Sequence, residues 1–209
     1  SYGLYVKTAN NSIGGTSSAM ANTIRGNGSK GVVIINASSS GNAVLGNAIY
    51  GNGGQPIDLA ENGATANDGA KTASQPNLLM DYPVFTSASY NGSTLAVAGY
   101  VGSAAGQTAF ANARVEVYIA DTSVAGLTQA QTYLGALTTD ASGNFSGSLA
   151  VASGISSGST KLVASATDTA NNTSEFGAGF TVASAGAISG TVFEDLNYGG
   201  GAGRSRSAS

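Results

Sequence analysis

The residues best suited to chemistry are oxygen donors. Asp168, Asn171, Asn172 and Glu175 lie within eight positions of one another, in Asp168-Thr-Ala-Asn-Asn-Thr-Ser-Glu175. Carboxylates and carboxamides without nitrogen or sulfur ligands are the donor set of Ca2+. Asp168, Asn171 and Glu175 are therefore the candidate metal site, with Ca2+ the only cofactor to consider. The competing reading is an Asx turn between two strands. Glu61, Asn62, Asn67 and Asp68 form a second such cluster, and Glu194, Asp195 and Asn197 a third; turn formation competes at both. Acid–base cleavage of a polysaccharide would need two carboxylates flanking one bond. Asp58, Glu61, Asp81, Asp121 and Asp140 are the available groups, and no spacing brings two of them together. Lys161 would serve an amide crosslink, again without supporting spacing. Catalytic residues are thus expected to be none.

Composition narrows the chemistry further. The 209 residues contain no His, no Cys and no Trp. Thiolate catalysis, disulfides and Cys-based metal sites are excluded, and the commonest general base is missing. Charged residues make up only 9%, with a net charge of −3. The few Lys and Arg are scattered and form no basic stripe, so nucleic acid is not an expected partner. No apolar run reaches the ~18 residues of a membrane helix, so membrane insertion is not expected either. The first residues, Ser1 to Val6, read as strand and not as a leader. That is the expectation for a segment of a longer chain.

The elements that must position these groups begin with a repeated phrase. Asn22-Thr-Ile-Arg-Gly-Asn27, Asn42-Ala-Val-Leu-Gly-Asn47 and Asn47-Ala-Ile-Tyr-Gly-Asn52 each set a β-branched residue between an Asn and a Gly-Asn turn. Short strands with Asn/Gly turns at a period of about 20 to 25 residues predict a parallel β-helix. Ile24, Val44 and Ile49 are expected to point inward and stack. Asn22, Asn27, Asn42, Asn47 and Asn52 are expected to form a side-chain ladder at the turns; glycan binding along a groove is the alternative. Further strands are predicted at 3–6, 31–35 and 56–59.

Residues 61–81 are predicted to be a capping or connecting loop, with Leu78, Leu79, Tyr82 and Phe85 folding back over the last coil. From 82 to 183 the pattern changes to longer strands of period two: 83–88, 93–101, 113–120, 132–139, 144–151, 161–168 and 175–183. Seven strands in about a hundred residues fit an immunoglobulin-like sandwich. Along 113–120, Val115, Val117 and Ile119 face one way, and Arg114, Glu116 and Tyr118 the other. Nothing shows a sustained helical period. Residues 184–209 read as a linker and a lone strand containing Ile188, Thr191, Val192 and Phe193. That strand would either open a further domain or pair with another chain.

The run from Asn47 through Pro56-Ile-Asp-Leu59, Thr65-Ala-Asn-Asp-Gly69 and Tyr82-Pro-Val-Phe85 resembles a module of very large exported bacterial proteins. Gln131-Thr-Tyr-Leu-Gly135, Thr139-Asp-Ala-Ser-Gly-Asn144 and Ala166–Phe176 extend the resemblance. In that family a right-handed parallel β-helix passes into an immunoglobulin-like domain. The opening Ile188-Ser-Gly-Thr-Val-Phe193 with Glu194-Asp-Leu-Asn197 is similar to the start of B-type domains of serine-aspartate-repeat adhesins. Tyr198-Gly-Gly-Gly then departs from the acidic calcium pattern of those domains. The resemblance implies a non-enzymatic structural or adhesive segment, extracellular or at the cell surface. The expected partners are further domains or copies of the same chain assembling into fibres, or glycans and host or matrix surfaces. A carbohydrate-binding module, or a non-catalytic fragment of a β-helix enzyme, stands as the alternative.

Overall fold

The computed structural model describes residues 1–185. The chain is all-β: the only helical elements among the described residues are short 3-10 turns at Ser18–Met20, Pro76–Leu79 and Thr108–Phe110. The first sixty residues hold seven strands of three residues each: β1 (Leu4–Val6), β2 (Ser12–Gly14), β3 (Thr23–Arg25), β4 (Val32–Ile34), β5 (Ala43–Leu45), β6 (Ala48–Tyr50) and β7 (Ile57–Leu59). β3, β5, β6 and β7 stop because a left-handed residue follows at once: Gly26, Gly46, Gly51 and Ala60. Gly46 after β5 and Gly51 after β6 have φ of 66° and 61°, which costs glycine nothing.

Every pairing among these strands is parallel. β1 pairs with β4 and β4 with β7, β2 pairs with β5, and β3 pairs with β6. The register sets Ile24 on Ile49 and Ile13 on Val44. Ile24, Val44 and Ile49 are buried in one cluster with Val32, Ile34, Ile57 and Leu59. The twenty-residue offset of the phrase therefore is not the stacking distance. Asn42–Asn47 and Asn47–Asn52 are successive sides of one turn of chain, and Asn22 meets Asn47, 25 residues on. β2 is absent from the sequence reading because Ser12-Ile-Gly carries a single apolar residue.

The later strands are β8 (Pro83–Tyr90), β9 (Thr94–Val101), β10 (Arg114–Asp121), β11 (Gln129–Thr138), β12 (Asn144–Ala150), β13 (Lys161–Thr167), β14 (Phe180–Thr181) and β15 (Ala183–Ser184). β12, β9, β8 and β15 form one sheet. The other is longer than its own part of the chain: its order is β14-β13-β10-β11-β6-β3, so it runs on into the parallel strands. The join is antiparallel, with Ala130 of β11 opposite Ile49 of β6.

Two cores result. Phe85, Leu95, Val97, Phe110, Val115, Val117, Phe145 and Leu162 fill the space between the two sheets. Tyr118, Ala130, Val163 and Phe176 turn the other way and join the core of the parallel strands. The alternation on β10 thus has no solvent side, and both of its faces are covered. Phe85 packs against Phe145 and Phe180 and not on the last parallel coil, where Leu79 packs instead. The strand expected at 175–183 is reduced to β14 and β15. Residues before it are committed elsewhere: Ser174 N–H bonds the Ala166 carbonyl, and the side chains of Thr173 and Glu175 reach the parallel strands. The strand with Ile188, Thr191, Val192 and Phe193, and the cluster Glu194, Asp195 and Asn197, lie outside the described residues.

Candidate functional site: the junction that closes the parallel strands

A parallel ladder offers a row of backbone N–H groups at its end, and a buried N–H without an acceptor costs roughly 1–3 kcal/mol. Within the ladder, asparagines meet part of this need. Asn47 Oδ1 accepts both the N–H and the Nδ2 of Asn22, at 3.0 and 2.9 Å. Asn52 Oδ1 does the same for Asn27 at 3.1 and 2.9 Å, and Asn42 Oδ1 for Asn11 at 3.0 and 2.7 Å. The amides also donate backwards: Asn47 Nδ2 to the Ile13 carbonyl and Asn52 Nδ2 to that of Ile24. Each asparagine side chain substitutes for one turn of backbone pairing where the chain bends.

At the end of the ladder no further coil follows, and antiparallel strands cannot continue a parallel register. Side chains supply the acceptors instead. Seven N–H groups are met in this way: Gly41 by Asn172 Oδ1, Asn42 by Asn77 Oδ1, Val44 by Thr173 Oγ1, Gly46 by Glu116 Oε2, Gly51 by Asp121 Oδ2, Asn52 by Gln129 Oε1 and Leu59 by Glu175 Oε1. Two of these groups imitate the next asparagine of a row. Gln129 Nε2 also donates to the Asn52 carbonyl at 2.7 Å, and Asn77 Nδ2 to that of Asn42 at 2.8 Å. Asn77 is held for this by a left-handed backbone, φ 45°, inside the loop.

The electrostatics follow from burial. Glu116 is fully buried on β10, where Arg114 Nε, the Tyr118 hydroxyl and Gly46 N–H all donate to it. Burial beside that carboxylate lifts the Tyr118 phenol far above its usual range. Burial pushes Glu175 up to about 7; the N–H groups of Thr65 and Leu59 pull it down, and the charge of Asp58 adds to the rise. Burial also works to raise Asp168, but the Lys71 ammonium and Asn172 outweigh it and hold the group below the usual range. For Asp121 the N–H and hydroxyl of Ser123 and the N–H of Gly51 likewise outweigh burial.

The candidate calcium ligands Asp168 and Glu175 hold separate hydrogen-bond partners. Asp168 Oδ2 carries the Lys71 ammonium at 2.8 Å, and its Oδ1 caps Ala170 and Asn172. Asn171 occupies the left-handed position of that turn, φ 66°. Glu175 shares no hydrogen-bond partner with Asp168; it holds Leu59 and Thr65. In the loop, Asn67 bonds both backbone groups of Tyr82, Asn62 Oδ1 meets the Thr65 hydroxyl, and Asp68 caps Ala70. The five carboxylates weighed for acid–base work each hold partners of their own, and the charges of two of them, Asp58 and Glu61, both act on Tyr2. Asp58 takes Lys30 and Gly63 N–H, Glu61 the hydroxyls of Tyr2 and Tyr5, Asp81 Gly69 N–H, Asp121 Gly51 N–H, and Asp140 its own turn at Ser142 and Asn144. Lys161 stands at the exposed start of β13, opposite Thr181.

Glu116, Gln129, Asn77 and Thr173 were not among the sequence candidates. A polar residue inside an apolar alternation, as Glu116 is in Val115-Glu-Val-Tyr118, was the available signal. Replacing Gln129 by leucine tests its role. The change keeps the bulk but leaves the Asn52 N–H and carbonyl without partners, so unfolding in urea is expected to be easier by about 2–3 kcal/mol. A variant as stable as the parent would show that this amide does not close the row. The chain matches no protein-family model.

Proposed function

We propose that this chain is a non-enzymatic structural segment of a large secreted or surface-attached bacterial protein. In it, the last coils of a right-handed parallel β-helix end on an immunoglobulin-like sandwich. The observation that supports this reading best is the closed N–H row. Seven backbone donors of the ladder are met by side chains of the following residues, and four apolar side chains from beyond the loop plug the same cross-section. Such a junction makes one stiff body from two architectures, which suits a stalk or an adhesin that bears load. Its seven acceptors are engaged with the backbone N–H groups of the ladder. Antibodies raised against the 209-residue chain should label intact producing cells. Labelling only after permeabilisation would sink the proposal.

A carbohydrate-binding role is favoured by one feature. Tyr2 and Tyr5, far from conspicuous in the sequence, stack with ring centroids 5.3 Å apart, and are 38% and 40% exposed. Both hydroxyls donate to Glu61, and Lys7 lies 5.0 Å from the Tyr5 ring centre. Exposed rings beside a carboxylate are what sugar faces and hydroxyls use. Under this reading Tyr5→Ala loses retention on a polysaccharide affinity gel that the parent chain shows. If the parent runs unretarded on every polysaccharide tried, this reading is dropped.

A further inference from the structure

An ammonium in contact with a carboxylate holds the atoms of an amide plus one water. Two lysine–carboxylate pairs stand among the described residues, and they differ in how the carboxylate is held. Lys71 Nζ lies 2.8 Å from Asp168 Oδ2. There Oδ1 accepts the N–H groups of Ala170 and Asn172, and the Asn172 amide reaches both oxygens. Lys30 Nζ lies 2.8 Å from Asp58 Oδ2, the oxygen that also accepts the Gly63 N–H at 3.0 Å. Asp58 Oδ1 is buried and has no partner among the described residues. The Asp58 side chain is wholly enclosed, and that of Lys30 is only 17% exposed. A carboxylate buried with one oxygen unmet is costly to keep.

We propose that Lys30 and Asp58 condense to an amide that ties the chain just before β4 to β7. One ammonium proton crosses to the carboxylate, and the lone pair it leaves on Nζ attacks Cγ. The Nζ–Cγ bond forms and the Cγ–Oδ1 bond breaks. Oδ1 departs as water with two of the three ammonium protons, and the third stays on the amide nitrogen. Nothing is oxidised or reduced, and no co-reactant is consumed. The held and unheld oxygens assign the roles. Oδ2 keeps the Gly63 N–H, a donor placed to meet negative charge on that oxygen in the tetrahedral intermediate. Oδ1 has no donor to give up. Condensation is unfavourable between dilute partners, but oriented groups held in contact react as though at roughly 10⁵–10⁸ M. Burial favours the product, since one neutral amide replaces two enclosed charges. At Asp168 both oxygens are held, so the Lys71 pair is expected to stay ionic. The amide would clamp the last parallel strand to the coil before it, at the place where the junction closes the ladder.

Mass spectrometry of the intact, folded 209-residue chain is the test. The parent should weigh one water less than its sequence requires. Digestion with trypsin should leave the bond after Lys30 uncut and give a branched peptide that contains both Lys30 and Asp58. Lys30→Arg keeps a positive charge beside Asp58 but offers no amine, and Asp58→Ala removes the carboxyl; both should show the full mass. Chain produced and kept in denaturant should also show the full mass, because only the fold brings the two groups together. A folded parent of full mass overturns the proposal. So does a water loss that persists in Lys30→Arg, or one that maps to ring closure at Asp68-Gly69 and is reversed by mild base. The parent's own mass and peptide map decide the matter even if a variant fails to fold. Surface labelling of cells is independent of these readings, so failure of the structural role and failure of the crosslink are told apart.

Discussion

Val44→Asp is expected to destabilise the parallel strands and the rest of the chain with them. Val44 is buried opposite Ile13 in the shared core, and its N–H is held by Thr173. The nearest partners are Ile13, Ile24 and Ile49 by register or cluster, none of which can pair a carboxylate. Burying an unpaired charge there is expected to cost about 4 kcal/mol. In a chain of this size that is a fall of roughly 10 °C in melting temperature. Val44→Ala, which leaves only a small void, should cost about 1–2 kcal/mol. The shared core makes a second, sharper expectation. Tyr118, Ala130, Val163 and Phe176 lie in the same cluster as Val44, so calorimetry should show one transition and not two. A Val44→Asp chain that melts like its parent would mean that this side chain does not point inward.

The pH profile should be governed at its upper end by Glu175. Its carboxyl is pushed up to about 7 in the folded chain from an ordinary value of 4.5. The folded state therefore holds this proton more tightly than the unfolded state. Stability from this group is full below about pH 4.5 and is lost as pH rises through about 7. The lost stabilisation is on the order of 3 kcal/mol, from ~1.4 kcal/mol per unit. Asp168 runs the other way: with its carboxyl held low by Lys71 and Asn172, its contribution is present above the ordinary carboxylate range and is lost in acid. The two are separated by substitution. Glu175→Gln keeps an acceptor for only one of the Leu59 and Thr65 N–H groups, which lowers stability at every pH, and it cannot ionise, so the fall in stability between pH 4.5 and 7 should flatten. If parent and variant keep parallel profiles across that window, Glu175 does not carry the slope. Lys71→Ala should instead lower stability in the neutral range and flatten the loss on the acid side, because the Asp168 carboxyl then lacks the ammonium that holds it low.

Local chemistry wrote much of the first sixty residues. Gly two residues after a β-branched residue stops a strand, and Asn at the bend supplies the missing acceptor, so Ile24 and Ile49 could be read as inward and Asn22, Asn27 and Asn52 as corner residues. The row partners could not be read, because the phrase repeats at two sides of one coil and gives offsets of both 20 and 25. Only stacking decides between them, and Asn22 meets Asn47. β2 was invisible because one isoleucine cannot display a period.

The all-β class and the change from short to long strands were fixed by composition and periodicity. Those signals are properties of each segment by itself. Which way a covered face looks is not. Val115 and Val117 announce one buried side of β10, but Glu116 and Tyr118 are polar enough to pass for its wet side. They are buried because a ladder end must find acceptors and an apolar plug, and β10 happens to cross it. The same holds for Gln129 and Asn77, which in sequence are ordinary turn and strand residues, and for Glu175, whose carboxylate suggested a metal and not a backbone N–H. Their roles exist only where residues 41 to 59 meet residues 77 to 176, at separations of up to 131 positions. Period and turn chemistry act over a few residues and are written in them. The acceptor for a buried N–H is chosen by proximity in space, and that was settled only when the two cores came together.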